Sequence, residues 1–127
     1  MLFWKKVKKI LIIDDDRTLL RRVSLHLNKY EGVEVTVYDN ATEGLAAVSE
    51  LRPSLIILDW MLPDIQGIDV LMTLKESPIT KDIPVLMLTG HSKIGNIEDA
   101  FTIGAEAYIV KPFELQKLAE KSFSLIK

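Results

Sequence analysis

The sequence predicts an α/β protein, doubly wound, with five parallel strands and five helices. Short continuous apolar runs, the pattern of strands covered on both faces, alternate along the chain with longer stretches whose apolar residues recur at helical spacing. Strict strand-helix alternation suits parallel strands joined by right-handed crossovers. The residues just after most of the apolar runs are acidic, basic or hydroxylic, as expected at the carboxyl edge of such a sheet, where reactive groups collect.

Taken in order, Ile10 to Ile13 form the first strand, and Leu20, Val23 and Leu27 share one face of the first helix. Val33, Val35 and Val37 alternate with Glu34 and Thr36 in the second strand, and Tyr38 and Asp39 read as turn residues after it. Leu45, Val48 and Leu51 mark the second helix, which Asn40 and Glu43 open as a capping box, each side chain accepting an otherwise unpaired amide. Leu55 to Leu58 is the third strand, followed by a helix with Ile68, Leu71 and Met72 on one face. Val85 to Leu88 is the fourth strand, and Ile94, Ile97 and Phe101 define the helix after it. Ala107 to Val110 is the fifth, and Leu115, Leu118 and Leu125 carry the last helix. Gly32 and Gly104 fall where two helices should end, because glycine accepts the left-handed conformation of a C-terminal cap.

A length of 127 residues allows one domain over 1–127, with 1–7 as a lead-in segment. Sixteen Lys and Arg against 18 Asp and Glu give a net charge of −2, which disfavours direct nucleic acid binding. Hydrophobic residues at 48% and charged residues at 27% fit a chain with one packed core. The absence of cysteine removes thiol nucleophiles, thiolate metal sites and disulfides, and a reducing compartment is the natural setting. No run approaches the roughly 18 apolar residues of a membrane span. The first lysines follow Leu2, Phe3 and Trp4, the reverse of a signal peptide, so the expectation is a cytoplasmic protein without membrane insertion. Lys5, Lys6, Lys8 and Lys9 beside Phe3 and Trp4 read as a solvated lead-in in preference to a membrane-surface anchor.

The chemistry lies after the strands. Asp14, Asp15 and Asp16 follow the first, Asp59 the third, Thr89 the fourth and Lys111 the fifth. Carboxylates converging at one sheet edge repel by about 3 kcal/mol per pair at roughly 5 Å and an effective dielectric near 20. A hard divalent cation offsets this, and Mg²⁺ is favoured because it takes one or two carboxylates, keeps waters and leaves a position for a phosphate oxygen. Lys111 adds a fixed positive charge and Thr89 a hydroxyl donor, the group types that stabilise a phosphoryl group in transfer, and Asp59 is the natural nucleophile. Taken singly these residues read more plainly: Asp16 caps the first helix, Asp59 and Thr89 are loop residues, Lys111 is solvated, Tyr108 packs on the sheet, Trp60 shields an edge, and His91 and His26 are a loop residue and a helix-face residue. Together they make one constellation.

Four segments carry a family resemblance: KKILIIDDD (Lys8 to Asp16), LIILDWMLPDIQG (Leu55 to Gly67), PVLMLTG (Pro84 to Gly90) and GAEAYIVKPF (Gly104 to Phe113). In this order and on these strands they resemble the receiver domain of two-component response regulators. The resemblance implies a flavodoxin-like sheet of order 2-1-3-4-5. It implies a phosphoacceptor at Asp59, a metal-positioning acid pair at Asp14 and Asp15, a backbone metal ligand at the Met61 carbonyl, phosphoryl contacts from Thr89 and Lys111, and a switch formed by Thr89 and Tyr108. The implied partner is a sensor histidine kinase or a histidine phosphotransfer protein. A downstream protein partner would read the surface of helix four, strand five and helix five, and no external substrate is turned over.

This chain departs from the common pattern at Gln66, where many receivers have Asp. It also has Met61 two residues after Asp59, a poor hydrogen-bond partner for an attacking water, whereas His91, two after Thr89, could serve as one. Glu106 and Ala107 stand where receivers of dimerising transcription factors commonly have two aspartates, which favours a separate partner over symmetric dimerisation. Two alternatives remain. Ile10 to Thr18 also fits the Asp-x-Asp-x-Thr opening of haloacid-dehalogenase-like phosphatases, with Asp14 as nucleophile and Asp16 as acid/base, although only Glu114 and Glu120 follow Lys111 as further acids and Asp59 would have no role. The other is a receiver-shaped binding module that carries no phosphate, disfavoured because every chemical position is filled.

Overall fold

The five apolar runs pair into one parallel sheet of order β2-β1-β3-β4-β5. Its elements are β1 (Lys8–Ile13), α1 (Arg17–Leu27), β2 (Val33–Tyr38), α2 (Ala41–Leu51), β3 (Leu55–Asp59), α3 (Gly67–Glu76), β4 (Val85–Thr89), α4 (Ile94–Ile103), β5 (Ala107–Val110) and α5 (Leu115–Leu125). The computed structural model describes residues 7–90 and 94–126, without the side chains of 94–96. The readings made for Phe3, Trp4, Lys5, Lys6 and His91 therefore lie outside the described residues. No described helix is long and apolar enough to cross a membrane.

The strands run longer than their apolar cores. β1 begins two residues early, at Lys8, which pairs with Val33. Tyr38, expected in a turn, closes β2 opposite Ile13. Asp59 and Thr89 are strand residues in register with Leu88 and Val110, so the sheet itself fixes their backbones.

Alternation within each strand divides the core in two. Leu11, Ile13, Ile56, Leu58, Val85 and Met87 pack with α2, α3 and Ala100 of α4. Ile10, Ile12, Leu55, Ile57, Leu86 and Leu88 pack with α1 and α5. Continuous apolar strands thus mean helices on both faces.

On α1 the buried residues are the expected Leu20, Val23 and Leu27. Elsewhere the buried stripe shifts. In α2 it is Ala41, Gly44 and Val48, with Leu45 and Leu51 half-buried; a side chain at Gly44 would start 2.5 Å from Ile13 Cδ1, so the small residue leaves that space to the isoleucine. In α3 it is Gly67, Val70, Leu71 and Leu74, which leaves Met72 exposed. In α4 small Ala100 is buried, while Phe101 faces outward. In α5 Leu118, Ala119 and Ser122 are buried, with Leu115 and Leu125 at the margin.

Gly104 follows α4 with φ 129° and donates to Ala100 O at 3.0 Å, as a helix-ending glycine should. Gly32, also at positive φ, lies in the turn before β2 instead, since Asn28 ends α1. At the amino edge of the sheet, Lys75 Nζ donates to Glu106 at 2.7 Å and to the carbonyls of Lys81 and Ile83, and the other Glu106 oxygen accepts from Val85 N at 2.6 Å.

Ile57 is wholly buried on the central strand β3. Ile57→Ala should lower the unfolding free energy by about 2–5 kcal/mol, read as a reduced midpoint at unchanged slope in urea melts.

Candidate functional site

Each candidate residue reaches the carboxyl edge because a strand delivers it there. Asp14 follows β1 and its amide donates to Tyr38 O at 3.1 Å, which extends the pairing by one residue. Its buried carboxylate accepts from Asp16 N at 2.9 Å and from Lys111 Nζ at 2.7 Å. Asp59 is 5% exposed and accepts from Lys111 Nζ at 3.3 Å. Lys111 follows β5, and its amide donates to Thr89 O at 2.7 Å, so buried Thr89 and the lysine are held side by side. One ammonium group therefore bridges carboxylates from residues 14 and 59.

Asp15 completes the group from the exposed side. Asp14, Asp15 and Asp59 each offer a carboxylate oxygen, and these oxygens lie within 4.8 Å of one another. An all-oxygen set of three acids could hold a hard divalent cation. The charges explain the titration behaviour. Burial, then the Asp14 charge, push Asp59 from 3.8 up to about 6, against the pull of Lys111. Burial draws the Lys111 pKa down, but the hydrogen bond it donates to Asp14 and the carboxylate charges outweigh it, so the lysine stays charged.

The other expected residues lie further out. Asp16 accepts from Leu19 N at 3.1 Å as the N-cap of α1, the plain role expected of it. Met61 lies in the loop after β3 with its side chain 58% exposed. Tyr108 is on the edge strand β5, exposed, with its ring edge-on to Phe101 of α4 at 5.7 Å. Trp60 is partly buried against the core at the end of β3.

Two loop residues had no periodic signal. Gly67 closes the 60–66 loop: its amide donates to Trp60 O at 2.8 Å, and an added Cβ would collide with Asp59 O and lie 2.8 Å from Trp60 Cα. Asp64 accepts from the amides of Ala41 and Thr42 at 2.9 and 2.8 Å and from the Thr42 hydroxyl. Asn40 forms its half of the expected capping box, accepting from Glu43 N at 2.9 Å, but the amides of α2's first two residues are taken by Asp64 from the distant loop.

The family model of the response regulator receiver domain matches residues 10–122. The chain belongs to this family. Among curated relatives, an uncharacterized transcriptional regulatory protein of Bacillus subtilis is 40% identical over 86% of this chain and 46% of its own length. The phosphate regulon transcriptional regulatory protein PhoB of Pseudomonas aeruginosa is 33% identical over 94% of this chain and 52% of its own length. The receiver domain thus spans about half the length of these relatives. Among solved structures, a response regulator receiver domain protein from Methanospirillum hungatei aligns with TM-score 0.86 and 33% identity over 94% of each chain. One from Clostridium thermocellum aligns with TM-score 0.85 and 34% identity, again over 94% of each chain. The doubly wound fold and the order 2-1-3-4-5 are those of the receiver family.

A carboxyl whose pKa rises on folding binds its proton more tightly in the native state, so its penalty is absent below pH 3.8, builds up between 3.8 and about 6, and is complete above that. The displacement from 3.8 to about 6 corresponds to a cost of about 3 kcal/mol at neutral pH without metal. Asp59→Asn should therefore raise the melting temperature of the metal-free receiver at pH 7.5, and the advantage should vanish near pH 4. An equal gain at both pH values would assign it to something other than this ionisation.

Proposed function

We propose that this receiver domain takes a phosphoryl group from a phosphohistidine of a sensor histidine kinase or a histidine phosphotransfer protein onto Asp59, with Mg²⁺, in the cytoplasm. The observation that carries this reading is the Lys111 ammonium 2.7 Å from buried Asp14 and 3.3 Å from Asp59, with Asp15 close by. A carboxylate oxygen of Asp59 attacks phosphorus as the bond to the histidine nitrogen breaks. Lys111 neutralises an equatorial oxygen, and the Thr89 hydroxyl donates to another. Asp14 holds Lys111 in place from the side away from solvent. Asp14, Asp15, Asp59 and the Met61 carbonyl would hold Mg²⁺, which offsets the carboxylate charges and that of the incoming group.

The protein is a phosphoacceptor and not an enzyme that turns over an external substrate. The curated relatives above are named as transcriptional regulators, and their matched part is about half of each. For this chain the output leaves through α4, β5 and α5. Thr89 and Lys111 are tied through their backbones, and three residues before Lys111 the exposed Tyr108 ring rests on Phe101. A phosphoryl group adding nearly two negative charges draws the Thr89 hydroxyl toward it, Tyr108 turns inward, and the face with Lys117 and Lys121 offers a protein partner a changed surface.

Intact mass spectrometry after incubation with a small phosphodonor and Mg²⁺ should show one added phosphoryl group, absent in Asp59→Asn; an adduct persisting in that variant would move the acceptor, with Asp14 the first suspect. A generic phosphate ester should not be turned over. Asp15→Asn should weaken Mg²⁺ binding about tenfold or more while leaving a cooperative melt. Amide shifts on adding beryllofluoride should spread from the pocket to Tyr108 and α4, and shifts confined to the pocket would reject this output route.

A further inference from the structure

The 60–66 loop is built to keep one shape. Its ends meet where Gly67 N donates to Trp60 O at 2.8 Å, and Trp60 N is itself bonded to Leu88 O of β4 at 2.8 Å. Just inside that neck lies Met61, then Leu62, whose side chain is 8% exposed within the core. The far side of the loop would swing free on these two supports alone. Asp64 stops it: both carboxylate oxygens are engaged by the first turn of α2, one by Ala41 N and the other by Thr42 N and the Thr42 hydroxyl. These donors, the Thr42 hydroxyl first, hold the Asp64 carboxyl well below the usual carboxylate range, which favours the ionised form that accepts all three bonds. α2 does not depend on Asp64 alone, because Asn40 caps it independently through Glu43 N.

The geometry points to Asp64 as a positioning residue for the metal site: by docking the 60–66 loop on the first turn of α2, it holds the Met61 backbone at a fixed distance from Asp59 and the acid pair. The inference rests on the reading of Met61 as a backbone ligand. Asp64 touches neither metal nor phosphoryl group in this account. Its carboxylate removes the loop's freedom before binding, so that ordering the ligand costs nothing when the cation arrives.

The test compares Asp64→Ala and Asp64→Asn with Asn40→Ala, which removes the other cap of the same helix and leaves the loop anchored. Mg²⁺ affinity would be followed by calorimetry, and amide hydrogen exchange at Met61 and Leu62 measured on the metal-free protein. Asp64→Ala should weaken Mg²⁺ binding about tenfold and speed exchange at both amides. Asp64→Asn, which keeps an acceptor oxygen, should recover part of both losses, and Asn40→Ala should lower the melting temperature without changing either. Equal weakening by Asn40→Ala and Asp64→Ala would assign the effect to α2 stability and overturn the proposal, as would unchanged affinity in Asp64→Ala. If Asp64→Ala fails to give a cooperative melt, the same criteria apply to Asp64→Asn. Failure of the wild-type protein to bind Mg²⁺ or to accept a phosphoryl group would instead bring down the functional reading with it.

Discussion

The site depends on one ammonium group placed between two buried carboxylates. Lys111 reaches Asp14 at 2.7 Å and Asp59 at 3.3 Å, and it comes from the strand after Thr89, two strands away from Asp59 and three from Asp14 in the sheet. Without it, two acids would lie buried side by side, an arrangement that costs far more than a surface pair because water no longer screens them. The rest follows from keeping that ion pair possible. Parallel strands must end level at one edge, which the registers of Asp59 with Leu88 and Thr89 with Val110 achieve. Helices must cover both faces so that the edge alone stays open to solvent.

Lys111 balances the site only in part. Asp59 still has a pKa near 6, because burial and the Asp14 charge exceed what one lysine cancels. The receiver thus carries a standing electrostatic deficit at its open edge, and Asp15, exposed beside it, adds to the negative potential. A pocket so arranged gains stability from any cation it admits, so ligand binding and folding stability are coupled there.

Much of this was legible in the sequence, for physical reasons that can be named. A strand buried on both faces cannot hide in an alternating pattern, so Ile10 to Ile13, Leu55 to Leu58 and Val85 to Leu88 announced the doubly covered sheet, and the first polar residue after each marked its edge. The strand order came from the family resemblance and not from periodicity. Helix faces were legible where large side chains do the packing, as in α1, and misread where close approach favours small ones: Ala41, Gly44 and Ala100 face the core while Met72 and Phe101 do not. Asp64 escaped because its partners lie 22 and 23 residues away, across a strand, where no spacing rule links them. The strands outrun their apolar cores because Lys8, Tyr38, Asp59 and Thr89 are polar or amphipathic, whereas pairing is a backbone property and continues through them.

The order of the site along the chain bears on how the molecule is made. The carboxylates sit at positions 14, 15 and 59, but their counter-charge waits until position 111. A chain that closed β1, β3 and β4 before β5 docked would bring Asp14 and Asp59 together with no lysine between them. Closing that edge early is therefore penalised, and the penalty lifts only when the last strand docks. The arrangement ties early and late parts of the chain together through one shared lysine, brought in by β5 at the far edge of the sheet.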